Sequence, residues 1–339
     1  MNLESVARKA GVSAATVSLA LNNRHGVSKV TREKILGIVR DMGYKKRPSR
    51  AIARGTVQFL KLIRHGHTLN EDHNVFVADY IDGITHQARE SELRVEFSSV
   101  LGHSSINDVA YQMSQQDVAG FIVLSTELSA DDVRCLAAVP KPIVFLDTYY
   151  DFLPFDFVDM NNLDSVFLAV SRFVQTGHKT IGMVGSPVGV ANFQLRAEGF
   201  QEALATLRRD FRPEFIYSVD STYQGAYQDF SALLEKLTEK KKRLPEALFC
   251  CNDIVCLGVA KALKETGYRI PRDVSLVGFD NLPASVHSDP PLTTIRVSKK
   301  EIGCEAVHLL KERIANPDKP CSKVIIGGDL IDRQSVRQR

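Results

Sequence analysis

The order of apolar and polar positions divides the chain into two unlike parts. At the start, apolar residues recur at helical spacing. Leu3, Val6, Ala7 and Ala10 share one face, which predicts a short helix. Gly11-Val12 then turns the chain, because glycine tolerates the positive φ of a tight helix-to-helix turn. Ser13 is placed to cap a second helix over Ala14 to Leu21, with Val17 and Leu21 inward. Ala14, Ala15, Ser18 and Leu19 fall on or near its outer face. After a loop from Asn23 to Val27, Ser28 caps a third helix whose apolar residues are Ile35, Ile38, Val39 and Met42. Gly43 stops it.

From Val57 the pattern becomes strand, helix, strand, helix. Expected strands are Phe59–Ile63, Arg94–Ser98, Gly120–Leu124, Ile143–Leu146, Thr180–Val184, Phe215–Tyr217, Leu248–Cys251 and Val274–Gly278. Most are apolar throughout, as strands covered on both faces must be. Helical stretches lie between them, among them Ala78–Arg89, Ser165–Gln175 and Ile254–Glu265. This alternation predicts doubly wound parallel sheets in two tandem lobes that split near Asp159, with late segments crossing back. The expected fold class is an all-α helix-turn-helix headpiece followed by an α/β two-lobed domain of periplasmic-binding-protein type. Its ligand would sit at the carboxyl ends of the strands.

Charge adds a second contrast. Residues 1–60 carry 12 Lys/Arg against 3 Asp/Glu, whereas the rest of the 339-residue chain carries 31 against 37. A basic module on a mildly acidic body is the asymmetry expected when one end meets a polyanion. The small residues opening the second helix permit close approach to a groove. Thr16, Ser18 and Asn22 can bond phosphates or base edges.

The segment Ala7 to Asn22 reads AxxAGVSxxTVSxxLN, and Val27-Ser28 and Thr31-Arg32-Glu33-Lys34 follow it. In this it closely resembles the LacI/GalR family of transcription regulators. The resemblance continues through Gly177-His178-Lys179-Thr180-Ile181, Arg196-Ala197-Glu198-Gly199-Phe200, Asn252-Asp253, Pro271 to Asn281, and Pro291-Leu292-Thr293-Thr294-Ile295. It implies a helix-turn-helix domain over 1–46, a hinge over 47–56, and an effector-binding and dimerisation domain over 57–339. It further implies a repressor of double-stranded operator DNA, acting as a homodimer, controlled by a small molecule of the sugar class. Relatives also sense nucleosides and purines. The chain runs only a few residues past Arg333-Gln334-Ser335, without a heptad tail, which favours a dimer over a coiled-coil tetramer.

The same resemblance supplies candidate sites. For DNA these are Ser13, Ala14, Ala15, Thr16, Ser18, Leu19 and Asn22 in the headpiece, and Arg50, Ile52 and Arg54 in the hinge. Family members wedge a Leu into the minor groove from the hinge. Here the spacing after Tyr44 departs from the pattern, so Ile52 takes that place if one residue is missing and Ala53 if none is. For the effector the candidates are Phe76, Asp147, Arg196, Asn252 and Asp280. Carboxylates accept from hydroxyls, Arg donates a rigid fork, Asn does both, and an aromatic ring covers an apolar ring face. Asn252 also has a plainer role open to it, capping the helix near Ile254.

Three rival readings carry less. Arg64-His65-Gly66-His67-Thr68 resembles the RHGxT signature of histidine phosphatases, in which the His is phosphorylated and the Arg binds phosphate. That chemistry needs a second His, another Arg and an acid, which the chain's other landmarks do not supply. A milder variant lets Arg64 or His65 reach the effector. A solute-binding protein shares the two-lobed domain, but it would carry a signal peptide and no headpiece. Finally, His65, His67 and His73 lack the acid or thiol spacing of a metal site and read as a solvated loop. The six cysteines show no zinc spacing and read as thiols in a reducing cytoplasm. No cofactor, metal or catalytic residue is expected.

Overall fold

The structure is a computed structural model. It describes residues 3–13, 16–17, 27–28, 31, 34–35, 37–38, 55–102 and 105–337. The chain falls into two compact units, Met1–Ala53 and Arg54–Arg339.

In the first unit, α1 spans Leu3–Ala10 and buries Ala7 and Ala10. Gly11 then adopts φ +70. Ser13 Oγ accepts the amide of Thr16 at 3.1 Å, the capping bond expected at the start of the second helix. Thr16 and Val17 are helical, and Val17 is fully buried. Ser28 Oγ accepts the Thr31 amide at 3.2 Å in the same way, and Ile35 is buried in the segment that follows. Ala14, Ala15, Ser18, Leu19, Asn22, Arg50, Ile52, Ala53 and Arg54 lie outside the described residues, so the choice between Ile52 and Ala53 does too.

The second unit begins with β1 (Thr56–Ile63), α2 (Asn74–Glu90), β2 (Arg94–Leu101), α3 (Ile106–Gln115), β3 (Gly120–Leu124), α4 (Ala130–Cys135), β4 (Ile143–Leu146) and β5 (Asp156–Met160). It continues with α5 (Asn162–Gln175), β6 (Ile181–Gly185), α6 (Ala191–Thr206), β7 (Ile216–Ser218), α7 (Tyr223–Glu239), β8 (Ala247–Cys250), α8 (Asp253–Glu265) and β9 (Ser275–Phe279). The last elements are α9 (Pro283–His287), β10 (Thr293–Arg296), α10 (Lys299–Ala315), β11 (Lys323–Ile326) and β12 (Asp329–Ile331). Two six-stranded sheets result, ordered β11-β5-β4-β3-β1-β2 and β12-β10-β9-β8-β6-β7. Every pairing is parallel except β10 with β12.

The first sheet takes all strands up to Met160 and then β11. The second takes β6 to β10 and then β12. The chain therefore passes between lobes three times: after Met160, between β10 and α10, and between β11 and β12. The middle passage is anchored where α10 lies on α2. A Cβ at Gly83 would sit 2.0 Å from the Lys300 carbonyl oxygen, and one at Gly303 would sit 2.5 Å from that of Tyr80. Only glycine lets the two backbones approach so closely.

Eight strands follow the apolar runs to within a few residues. β5 and β10 to β12 are absent from the apolar pattern. In β5, Asp156 and Asp159 interrupt the run, yet both are buried. Arg313 Nε meets Asp156 Oδ2 at 2.7 Å, a paired charge inside a strand that composition alone reads as polar.

A candidate ligand cleft between the lobes

The strand ends position the site. Asp147 follows β4, Asn252 follows β8 and Asp280 follows β9, while Phe76 sits in the first turn of α2 and Arg196 on the buried face of α6. Asp147 and Asp280 hold positive φ values of 62 and 107. Such backbone is costly outside glycine and persists only where surrounding bonds fix it. For Asp280, the Ile295 carbonyl accepts its amide and Lys299 Nζ donates to its own carbonyl, both at 2.9 Å.

All five residues line one cavity, drawn from both lobes. Thr68, His73 and Thr126 join them from the first lobe, and Asn192 and Phe193 from the second. About 40 Å³ of it is open to the centre of a water-sized sphere. A single water needs about 10–15 Å³ on that measure, so a sugar-sized molecule requires the lobes to part or side chains to move.

A chain of hydrogen bonds crosses the cleft. Tyr80 Oη donates to Asp147 Oδ1 at 2.8 Å, and Thr126 Oγ1 donates to Oδ2. Asn192 Nδ2 reaches Asp147 Oδ1 at 3.3 Å and Asp159 Oδ1 at 3.4 Å. Asn192 Oδ1 accepts from Asn162 Nδ2 at 3.0 Å, and Asn162 Oδ1 accepts from Arg196 Nε at 2.9 Å. Arg196 Nη2 stands 3.6 Å from Asp280 Oδ1. Its guanidinium lies 3.7 Å from the centre of the Phe279 ring. With further bonds to the Cys251 carbonyl and Met160 Sδ, Arg196 has little donor capacity left. Much of its role is therefore to hold Asp280 rather than to meet a ligand directly.

The electrostatics follow from burial. Asp280 is pushed up to about 7 by burial, with the Arg196 charge opposing. Asp147 and Asp159, which share the Asn192 amide, are both raised by burial. Asp280 Oδ1 and Asp159 Oδ2 are buried and receive no hydrogen bond among the described residues. Unsatisfied buried acceptors favour a partner rich in O–H or N–H donors.

Asn252 serves two ends at once. Its Oδ1 caps α8 by accepting the Val255 amide at 2.8 Å, while its Nδ2 lies 3.2 Å from His73 Nε2 across the cleft. His73 is buried, contrary to its reading as a loop histidine in solvent, and burial lowers its pKa to about 4. Its neutral ring donates from Nδ1 to Asn70 Oδ1 at 3.2 Å and accepts from Asn252. Sequence reasoning missed His73, Thr126, Asn192 and Phe193 as cavity residues. For Asn192 and Phe193 the available signal was proximity to Arg196, since residues three and four apart share a helix face.

The RHGxT segment proves to be occupied. Glu127 Oε2 accepts the amides of Arg64, His65 and Gly66 at 2.8, 3.0 and 3.0 Å. Its Oε1 accepts those of Thr68 and Leu69 at 2.9 and 2.8 Å, and the Thr68 hydroxyl at 2.9 Å. The protein's own carboxylate thus takes up the loop's amides. Arg64 turns instead to Asp132, at 3.5 Å, and neither Arg64 nor His65 lines the cavity. Among the described residues no group of three or more His, Cys, Asp or Glu could hold a metal. All six cysteines are free thiols. Among the described residues no helix is long and apolar enough to cross a membrane.

Residues 2–47 match the family model described as bacterial regulatory proteins, lacI family, and residues 170–336 match the periplasmic binding protein-like domain. The HTH-type transcriptional repressor PurR of Haemophilus influenzae is 31% identical over 345 residues, covering 99% of this chain and 98% of that protein. The chain belongs to the LacI family. PurR of Pasteurella multocida is 30% identical over 344 residues, covering 99% of each chain. LacI-family structures share the fold over nearly the whole length. The regulator CelR in complex with cellobiose gives a TM-score of 0.74 at 24% identity, covering 99% of both chains. The Lac repressor dimer bound to operator and the anti-inducer ONPF gives 0.71 at 24%, covering 99% of this chain and 98% of that one. As a LacI-family member the chain is a DNA-binding transcriptional repressor, and its relatives are regulators rather than enzymes.

Proposed function

We propose that operator binding by this repressor is controlled by a neutral, hydroxyl-rich ligand of the sugar class, held between the lobes. The observation that carries this reading is the convergence of Phe76, Asp147, Arg196, Asn252 and Asp280 on one cavity that both lobes build. Two carboxylates offer acceptors to hydroxyls, and Phe76 offers an apolar face. Among the described residues Asp280 Oδ1 has no hydrogen-bond donor, which a ligand hydroxyl would supply. A heterocyclic base is the second reading, on one observation: two phenyl rings, Phe76 from one lobe and Phe193 from the other, line the same cavity.

In this proposal two copies of the chain read a near-palindromic site. Ser13, Ala14, Ala15, Thr16, Ser18, Leu19 and Asn22 face the major groove, and Arg50, Ile52 and Arg54 act near the centre. The ligand relieves repression by favouring one relation of the lobes, and a preference of about 1–3 kcal/mol suffices. Support for pairing comes from β2, the edge strand of the first sheet, where Phe97 and Leu101 are 46% and 67% exposed.

A thermal-shift screen with sugars and nucleosides tests the ligand class, since a molecule that binds only the folded state raises its stability. A sugar that raises Tm in the wild type but not in Asp280→Asn supports the reading. A response confined to nucleosides transfers it to the base, and a sugar response that survives Asp280→Asn contradicts it.

A further inference from the structure

Loop 64–69, which lends Thr68 and Leu69 to the cavity lining, also joins the two lobes beside it. Glu127 gathers the amides of Arg64, His65, Gly66, Thr68 and Leu69 around one carboxylate. Burial would raise its pKa, but these bonds outweigh burial and hold it down at about 2, so the carboxylate stays charged. Gly66 adopts φ +73 within the loop, which lets the chain wrap the carboxylate.

The loop so shaped reaches the second lobe. The His67 carbonyl accepts from Ser221 Oγ at 2.6 Å, and His67 Nδ1 lies 3.4 Å from Asp220 Oδ2. Just beyond the loop, Asp72 Oδ2 accepts the amide of Tyr223 at 3.2 Å, at the start of α7. Thr68 and Leu69 line the cavity from the same segment.

We infer that Glu127 is a positioning residue for ligand control: by fixing loop 64–69 it presents His67 and Asp72 as a clasp that holds the lobes closed over the cavity. This rests on the ligand-cleft reading for its purpose, but not for its test, because closure is readable without ligand. The carboxylate serves the clasp because two oxygens facing five amides form a rigid turn that no water-filled loop would keep. Glu127→Gln preserves shape but points an amide N–H₂ at backbone N–H groups.

The test is hydrogen exchange at single-residue resolution on the full-length protein. The Tyr223 amide reports the clasp, the Thr68 and Leu69 amides report the loop, and the Leu276 amide, bonded at 2.9 Å to the Ser335 carbonyl within the second lobe, is the control. Glu127→Gln is expected to speed exchange at Thr68, Leu69 and Tyr223 by about tenfold or more, with Leu276 unchanged. The double variant His67→Ala/Ser221→Ala is expected to speed Tyr223 alone. Faster exchange at Thr68 and Leu69 with Tyr223 unchanged in Glu127→Gln would overturn the inference, as would no change at any of them. If Glu127→Gln does not fold, Gly66→Ala, which strains the loop without removing a bond, is read by the same criteria.

Discussion

Two buried carboxylates, Asp280 lining the cavity and Glu127 behind the loop that borders it, have opposite characters. Glu127 and Asp280 are each 3% exposed. Glu127 receives five amides and a hydroxyl and stays charged, whereas Asp280 receives no side-chain hydrogen bond at Oδ1 and is pushed up to about 7. Both are shielded from solvent, but burial prevails at Asp280, whereas at Glu127 the amide donors together outweigh it. A carboxylate whose acceptors are filled is a finished structural joint. One with an unfilled acceptor, beside a cavity, is where a donor-bearing ligand gains most. The RHGxT loop is the first kind: its amides are taken up by the protein's own Glu127.

The contrast can be broken most severely at Arg196. Arg196→Ala leaves Asp280 without its counter-ion, and Asn162 Oδ1 and the Cys251 carbonyl without their donor, and the expected loss of folding stability at neutral pH is about 3–5 kcal/mol. Urea unfolding measures it, and a loss under about 1 kcal/mol would show that the ion pair is dispensable. Next in size is Glu127→Gln, expected to cost about 1–3 kcal/mol for the amides it leaves unsatisfied. Asp280→Asn removes a buried charge and should cost less than Glu127→Gln at pH 7.5. If the two costs are equal, the distinction drawn from donor number fails.

A smaller effect lies in pH. The folded-state value of Asp280 is raised, so the folded protein binds more protons than the unfolded chain from about 3.8 to about 7. Asp253, raised to about 6 by burial, acts in the same direction. Stability is therefore lost as pH rises through that window. His73, lowered to about 4, works the other way between about 4 and 6.5, since its unfolded form binds the extra proton. The acids outnumber it, and Tm should fall between pH 5 and pH 7.5, with a visibly shallower fall in Asp280→Asn. An unchanged slope in that variant would place the titrating group elsewhere. Smallest of all, His73→Ala removes neutral bonds to Asn70 and Asn252 and should cost about 1 kcal/mol in urea unfolding.

Sequence reading succeeds and fails here for physical reasons. Strands such as Gly120–Leu124 are covered on both faces, so their composition announces them. β5 stays hidden because Asp156 and Asp159 carry paired or network roles inside it. Asp147, Asn252 and Asp280 are legible because each is a polar residue immediately after an apolar strand. His73 is not, since its importance arises only where one lobe meets the other, whereas Asn192 shares a helix face with Arg196 and was within reach of that spacing. Nothing local distinguishes His73 from His65 or His67, yet only His73 turns inward to the cavity. Glu127 shows the same limit, for its partners lie roughly sixty residues away and no local pattern connects them.

The most direct test of the account joins the cavity to the headpiece. Fluorescence anisotropy of a labelled operator fragment, titrated with the full-length protein, would be measured with and without the sugar found by thermal shift. The account predicts that the sugar weakens operator binding by about fivefold or more in the wild type, and leaves Asp280→Asn binding the operator with wild-type affinity whether or not sugar is present. An equal sugar response in both proteins would contradict it.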